Sequence, residues 1–210
     1  MNYTYGCSGC VTITKDNTLA VDTSKVNADV LKAAQDLTDA ITSTSYEAAV
    51  FVKNGSGDVT FGAAVQGGAT VTDKNGTRKI DAIYLDFKDR EALIGSQDAK
   101  DAFAKLTFAH EVFHLYPKPL DDPAISEGKT KTGSVVDKTN EIARARGILL
   151  RATYYGEQNE GSQYFGFIYM GRAQTDEKTG AIKRDVKTNG ILVKSEKLLQ
   201  WNRLLIKGIN

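Results

Sequence analysis

Two histidines and a glutamate form the group of residues in this sequence whose spacing points to chemistry. His110 and His114 are the only histidines among 210 residues, and Glu111 directly follows the first of them. On a helix, side chains four residues apart lie on one face, so both imidazoles can bind one Zn²⁺. Glu111 can then take a proton from a water held by the metal. The pattern predicts a catalytic zinc site, with a pair of buried core histidines as the alternative.

Composition and charge set broad limits on function. The chain has 41% hydrophobic and 25% charged residues, with a net charge of +1. These values are typical of a globular domain and give no electrostatic reason to expect nucleic acid or a membrane as partner. No apolar run approaches the roughly 20 residues of a membrane helix, and residues 1–6 lack the features of a signal peptide. We therefore expect a cytoplasmic protein, one delivered from the cell without a Sec signal, or an excised domain of a larger toxin.

Cys7 and Cys10 have the spacing of half a zinc ribbon or of a redox pair. The sequence has no second cysteine pair and no spare histidine to complete a structural site with four ligands. The residues after Cys10 do not resemble a thioredoxin-like unit. The remaining prediction is a local disulfide or two idle thiols.

Hydrophobic periodicity predicts the elements that must position the motif. The motif helix should start near Ser96 or Asp98 and end at Tyr116, because Pro117 disfavours helix at the residue before it. It is apolar on all sides, which is typical of a buried helix. Before it, the pattern predicts a strand, a helix, two hairpins and a strong strand (11–14, 27–41, 48–61, 67–80 and 83–87). After it, the pattern predicts a loop, a second helix, two strands and a terminal helix (117–132, 137–155, 164–170, 181–186 and 196–206).

A catalytic zinc commonly has three protein ligands, and the sequence offers no third histidine. Glu141 is the predicted third ligand, because periodicity places it on the apolar stripe of the second helix with Ala145, Ile148 and Ala152. A carboxylate buried on that stripe would need a partner such as a metal cation. A favourable charge in the first helical turn is the alternative explanation. The other acidic candidates lie in the loop or at the helix cap: Asp121, Asp122, Glu127 and Asp137.

Hydrolysis also requires a donor for the negative charge that develops on the scissile carbonyl oxygen. Because no spare histidine exists, a tyrosine or an arginine would have to supply it. The candidates near the motif and the second helix are Tyr116, Arg144, Tyr154 and Tyr155.

The motif, with Asn140 and Glu141 downstream, resembles the zincin metallopeptidases in their gluzincin-like arrangement. The resemblance implies an α+β fold in which a small, twisted, mainly antiparallel sheet packs on the buried motif helix. A second helix would carry the third ligand, and a C-terminal hairpin and helix would follow. The resemblance also implies that His110, His114 and Glu141 bind zinc and that Glu111 is the general base of peptide-bond hydrolysis.

A looser resemblance connects residues 139–147 with secreted bacterial effector zincins, including small type III effector metallopeptidases and the tips of polymorphic (Rhs-type) toxins. It implies an effector or toxin protease with a protein substrate and a cognate inhibitor or immunity protein. The motif resemblance covers about a dozen residues, and the looser one covers residues 27–155. Ala145 departs from the pattern, since thermolysin-like enzymes usually carry an aspartate there.

The zincin resemblance also predicts how substrate and domain are arranged. Zincins generally bind substrate as a strand added to a sheet edge, and Ile83–Phe87 is the predicted edge. We expect one domain over residues 1–210, with 1–26 as an extended N-terminal segment and 162–210 as a hairpin–helix appendage. Two alternatives stay open: a zinc amidase that acts on cell-wall peptides, and a non-catalytic binding module stabilised by a metal.

Overall fold

The computed structural model describes residues 1–53, 62–87, 97–120 and 132–151, together with the backbone of four later strands. In these parts the chain is a mixed α/β structure with small antiparallel and mixed sheets and five α-helices. None of the described helices is long and apolar enough to cross a membrane. The terminal helix predicted over 196–206 lies outside the described residues.

The first elements are a short helix and a two-stranded hairpin. Helix α1 covers Asn2–Tyr5, and strands β1 (Val11–Ile13) and β2 (Leu19–Val21) pair antiparallel. The predicted strand over 11–14 is therefore confirmed. Cys7 and Cys10, between α1 and β1, are joined by a disulfide, which is one of the two predicted states.

The helix predicted over 27–41 is divided into two helices, α2 (Ala28–Ala33) and α3 (Gln35–Thr42). Asn27 caps α2, because its side-chain oxygen accepts hydrogen bonds from the backbone N–H groups of residues 29 and 30. Ala34 leaves helical geometry, with φ −99° and ψ 19°. Neither glycine nor proline marks this break in the sequence, so periodicity alone could not locate it.

A three-stranded sheet in the order β3–β5–β4 precedes the motif helix. Strands β4 (Gly62–Asp73) and β5 (Gly76–Asp86) form one of the two predicted hairpins. Strand β3 (Ala48–Lys53) pairs in parallel with β5, from Ala48 opposite Asp81 to Lys53 opposite Asp86. The residues predicted to form a hairpin with β3, 54–61, lie outside the described residues. An apolar strand can pair with any suitable neighbour, and here packing selected a distant one.

Strand β5 is the centre of this sheet and not its edge. It bonds to β3 on one side and to β4 on the other, so the prediction that Ile83–Phe87 forms the substrate edge is wrong. Its apolar side chains explain this position, since Ile83 and Leu85 are 2% and 0% exposed within the main core. Among the described strands of this sheet, β3 and β4 are the edges.

Helix α4 (Gln97–Phe113) carries the motif through the middle of the core. It begins where the sequence predicted and ends a little before the expected Tyr116, so that His114 lies in the turn that follows. The prediction of a buried helix is confirmed, because its second half has buried apolar side chains on several sides: Leu106, Phe108, Ala109, Val112 and Phe113.

Helix α5 (Gly133–Ala145) packs beside α4 and ends well before the predicted Tyr155. Gly147 adopts φ +62°, and the N–H of Ile148 donates to the carbonyl of Ala143 at 3.0 Å. These are the features of a Schellman motif, which ends a helix at a glycine. The apolar residues 148–150, which suggested a longer helix, instead form this turn and the start of strand β6 (Leu150–Arg151).

The later strands form further antiparallel pairs. Strand β7 (Tyr164–Gly171) lies between β6 and β10 (Gly190–Lys194), and β8 (Ala173–Thr175) pairs with β9 (Ile182–Arg184). The predicted strands over 164–170 and 181–186 are thus found, but among the described strands they do not pair with one another as the predicted C-terminal hairpin requires, and β10 is an additional strand that the sequence did not predict.

Part of the N-terminal segment packs into the main core. Tyr5 is 2% exposed, and its hydroxyl hydrogen-bonds that of Thr38 in α3 at 3.0 Å. The hydroxyl of Thr4 donates to the carbonyl of Lys105 in α4 at 2.7 Å. Helix α1 therefore helps to hold the motif helix in place.

Tyr5 should make the fold sensitive to alkaline pH. Burial raises the pKa of its hydroxyl from 10.0 to about 12. The unfolded chain releases this proton first, so the stabilisation is complete below pH 10 and is lost as the pH rises towards 12. The shift corresponds to roughly 2–3 kcal/mol. We expect Tyr5→Phe to flatten the fall in unfolding free energy over this range in urea titrations.

Tyr46 provides the comparison for this prediction, because burial also raises the pKa of its hydroxyl. Tyr46 should account for part of the alkaline fall that remains in Tyr5→Phe. An identical fall in the wild type and in Tyr5→Phe would contradict the burial of Tyr5 in solution.

Candidate metal centre

The two motif histidines face one another at the end of α4. Their rings are nearly perpendicular, and their Nε2 atoms are 3.3 Å apart. Two nitrogens that bind one tetrahedral Zn²⁺, each at about 2.0–2.1 Å, lie roughly 3.3–3.4 Å from one another. His110 and His114 therefore have the separation expected of two ligands to a single ion.

The backbone contact of His114 determines which of its ring nitrogens carries the proton. Its Nδ1 lies 3.4 Å from the carbonyl oxygen of Leu120. A carbonyl can only accept, so in the neutral ring Nδ1 carries the proton and Nε2 keeps its lone pair. Metal-bound histidines commonly make such a contact through their second nitrogen. Without metal, Nε2–H of His110 could donate to this lone pair, so the distance alone fits both interpretations.

His110 is held in the neutral form that a metal requires. Its side chain is buried, at 5% exposure. Burial lowers its pKa well below the ordinary value, and the neighbouring His114 and Arg151 act in the same direction. Protons compete with a metal for the imidazole only below this pKa. Burial therefore keeps the imidazole of His110 neutral at neutral pH.

Glu111 lies in the contact between α4 and the first residue of β4. Its side chain is 4% exposed. A Cβ atom on Gly62 would lie 2.6 Å from Glu111 Oε1, so the glutamate occupies the space that a side chain at position 62 would fill. Glu111, the predicted base, thus follows His110 in the chain and lies against the sheet edge at Gly62 in the folded protein.

Glu141 is not where the sequence pattern placed it. It is exposed, whereas its neighbours Asn140 and Ile142 are 6% and 0% exposed. The prediction that Glu141 lies on the buried face of its helix is wrong. That face was drawn through residues 148–152, but the helix ends at Ala145, and its true buried side includes Asn140. The ligand role predicted for Glu141 thereby loses its basis.

The described residues do not supply a third ligand. Within them, no group of three His, Cys, Asp or Glu side chains could hold a metal ion. Asp137 is exposed, and its carboxylate accepts a hydrogen bond from the hydroxyl of Thr132. Three other predicted candidates lie outside the described residues: Asp121, Asp122 and Glu127.

Two of the four predicted charge-stabilising residues can be placed. Arg144 is exposed and lines a cleft with Asp98 and Lys105, in the half of α4 that is remote from the histidines. Tyr116 is partly buried, and its ring centre lies 4.9 Å from that of Tyr46. The other two, Tyr154 and Tyr155, lie outside the described residues.

Arg151 is a buried cation that sequence reasoning missed. It is 9% exposed, and its charge contributes to the low pKa of His110. Its guanidinium carbon lies 5.6 Å from the centre of the Phe103 ring in α4. Asn140 holds its backbone through two hydrogen bonds, since Nδ2 donates to the carbonyl at 2.8 Å and Oδ1 accepts from the N–H at 2.9 Å. The resemblance had drawn attention to Asn140, but no local pattern indicates its pairing with Arg151.

Asn140→Ala should destabilise the protein, because both buried backbone groups of Arg151 would lose their partner. We expect a loss of about 1–3 kcal/mol in the free energy of unfolding, measured in urea. Glu141→Ala is the matched control, since it changes an exposed neighbour on the same helix and should stay within about 0.5 kcal/mol of the wild type. Equal losses in the two variants would contradict the orientation of α5.

Comparisons of the chain with protein-family models, curated proteins and solved structures found no match. The likeness to zincins therefore stays at the level of the motif residues named above. What the site does has to be argued from its own geometry.

Proposed function

We propose that this protein is a zinc-dependent endopeptidase in which His110 and His114 bind the metal and Glu111 is the general base. The observation that carries the proposal is the 3.3 Å separation of the two Nε2 atoms, which matches a shared tetrahedral ion. The buried carboxylate next to them in the chain is the second support. We also propose that the fold is zincin-like, because the sheet and α5 both pack against α4.

The chemistry divides between the ion and the side chains. When bound, zinc would polarise the scissile carbonyl and make a water molecule more acidic. Glu111 would take a proton from that water and deliver it to the leaving nitrogen. His110 and His114 would act through Nε2, and the contact of His114 with the Leu120 carbonyl would keep its ring in place.

The substrate class that we propose is an extended peptide. Gly62, which lies against Glu111, is the first residue of β4, and β4 is a sheet edge among the described strands. A peptide can add to such an edge through backbone hydrogen bonds, which would bring its carbonyl groups near the base. Pairing of β4 with β5 is regular over residues 62–65 and is interrupted after Val65. This short stretch takes the role that the sequence assigned to Ile83–Phe87.

An effector or toxin role, with an immunity protein as inhibitor, rests on the looser resemblance of residues 139–147 alone. The buried Asn140 in that stretch has a structural function, because it holds the backbone of Arg151. A peptide substrate is therefore the firmer part of the proposal, and a cell-wall peptide stays the alternative substrate.

Metal content and turnover should respond differently to changes at the three motif residues. The wild type should hold about one Zn²⁺, and His110→Ala with His114→Ala should remove it. Glu111→Gln should keep the metal and lower kcat by at least about 100-fold, since a base is lost and no ligand is. Elemental analysis and cleavage of a fluorogenic peptide library measure the two effects.

Glu141→Gln is the matched control, because it makes the same chemical change at an exposed glutamate. It should keep both zinc and turnover, and a loss of zinc would restore Glu141 as a ligand. Equal zinc in the wild type and the double histidine variant would show that the histidines pair through a hydrogen bond without a shared ion. Cleavage of peptidoglycan peptides but not of the library would identify the amidase.

A further inference from the structure

We infer that Gly62 is a positioning residue for Glu111, because the missing side chain at position 62 determines where the carboxylate lies. The inference rests on the proposed function, in which Glu111 is the base. It adds a residue from the sheet edge to a site that the sequence placed on α4 and α5. Gly62 lies 49 positions before Glu111, and the folded chain brings the two together.

The contact involves most of the glutamate side chain and not just its end. A Cβ atom on Gly62 would lie 2.6 Å from Oε1, 2.8 Å from Cγ and 2.9 Å from Cδ of Glu111. All three distances are below 3.0 Å, which real Cβ atoms essentially never show. Rotation of the carboxylate alone would relieve the contact with Oε1 and leave the one with Cγ. A methyl group at position 62 would therefore force the whole side chain to move.

Glycine is needed here for space and not for backbone conformation. Gly62 does not have the positive φ that marks six other glycines of the described chain. An alanine could therefore adopt its backbone geometry without strain.

Neither side of the contact can readily move away. Gly62 is buried and pairs with Leu85, which is 0% exposed in the core. Glu111 lies on α4 between His110 and Val112, both of which are also buried. Protein interiors are close-packed, so an added methyl group displaces the more adaptable partner. That partner is the glutamate side chain.

Displacement of this carboxylate should affect proton transfer and not metal binding. A general base acts over a hydrogen-bond distance of about 2.6–3.2 Å. A shift of about 1 Å can cost on the order of 100-fold in rate. The three atoms nearest to a Cβ at position 62 all belong to Glu111, and none belongs to either histidine. The metal affinity should therefore be preserved while turnover falls.

Strand β4 contains a matched control for this substitution. A Cβ atom on Gly68 would lie 2.7 Å from Val65 Cβ, which is as severe a contact as that at Gly62. Its neighbours are the apolar side chains of Val65 and Ala82, and Gly68 itself lies beyond the regular stretch of β4 and has no positive φ either. Gly68→Ala therefore adds the same methyl group to the same strand without reaching Glu111.

The first test compares kinetics and zinc affinity in Gly62→Ala and Gly68→Ala. Gly62→Ala should lower kcat by about 10- to 100-fold, with zinc affinity within about twofold of the wild type. Gly68→Ala should keep kcat within about threefold. In a Glu111→Ala background, which lacks Cγ, Cδ and Oε1, the new methyl group meets no glutamate side chain, so Gly62→Ala should cause little further loss of the residual turnover. A full loss in both backgrounds would overturn the positioning role.

The second test does not depend on activity. Gly62→Ala should lower the urea midpoint of the wild type, and it should lower it much less when Glu111→Ala has already removed the side chain. Gly68→Ala should lower the midpoint equally in both backgrounds. Equal shifts for Gly62→Ala would overturn the contact. If the shift caused by Gly62→Ala depends on Glu111 but the protein neither binds zinc nor cleaves peptides, the contact is upheld and the proposed function is refuted.

Discussion

Burial of an imidazole and a carboxylate on one apolar helix, beside a half-buried imidazole in the turn that follows, is the constraint on which the rest of this structure depends. His110 and Glu111 are 5% and 4% exposed, in a helix whose other buried residues are apolar apart from Thr107. Polar groups removed from water cost several kcal/mol unless they find partners. The fold meets this demand from several directions: the Leu120 carbonyl receives His114, the two rings meet through Nε2, and β4 leaves room for Glu111. These contacts set the positions of β4, α4 and the turn after α4 relative to one another.

The same demand explains how the second helix is oriented. Helix α5 turns Asn140 inward and Glu141 outward, because an amide that bonds both backbone groups of Arg151 is cheaper to bury than a carboxylate. The strand that begins after Gly147 is thereby tied to α5. Arg151, at the end of that tie, brings a positive charge whose effect reaches His110. The side chain of Asn140 thus links α5 to Arg151, whose charge helps to lower the pKa of His110.

Sequence reasoning succeeded where the determining signal is local. The motif helix, its burial and the β4–β5 hairpin all follow from periodicity and turn residues within one element. It failed where tertiary packing decides, as in the parallel pairing of β3 and the central place of β5. The error at Glu141 had a local signal that was overlooked, since Gly147 marks the end of the helix. The contacts of Gly62 with Glu111 and of Asn140 with Arg151 join separate elements, so no spacing rule could predict them.

The carboxylate is what distinguishes a metal site from a structural pair of histidines. Two neutral imidazoles 3.3 Å apart can share a hydrogen bond, and that pair would need nothing from the next residue. An apolar side chain at position 111 would fill the same space against Gly62 without the cost of burying a charge. Here Gly62 makes room for the buried Glu111, beside two imidazoles that have the separation of metal ligands. Burial of these polar groups and the loss of a side chain at position 62 each cost stability. Such local costs are concentrated where a protein performs chemistry, because a reactive geometry has to be held against the preferences of the chain.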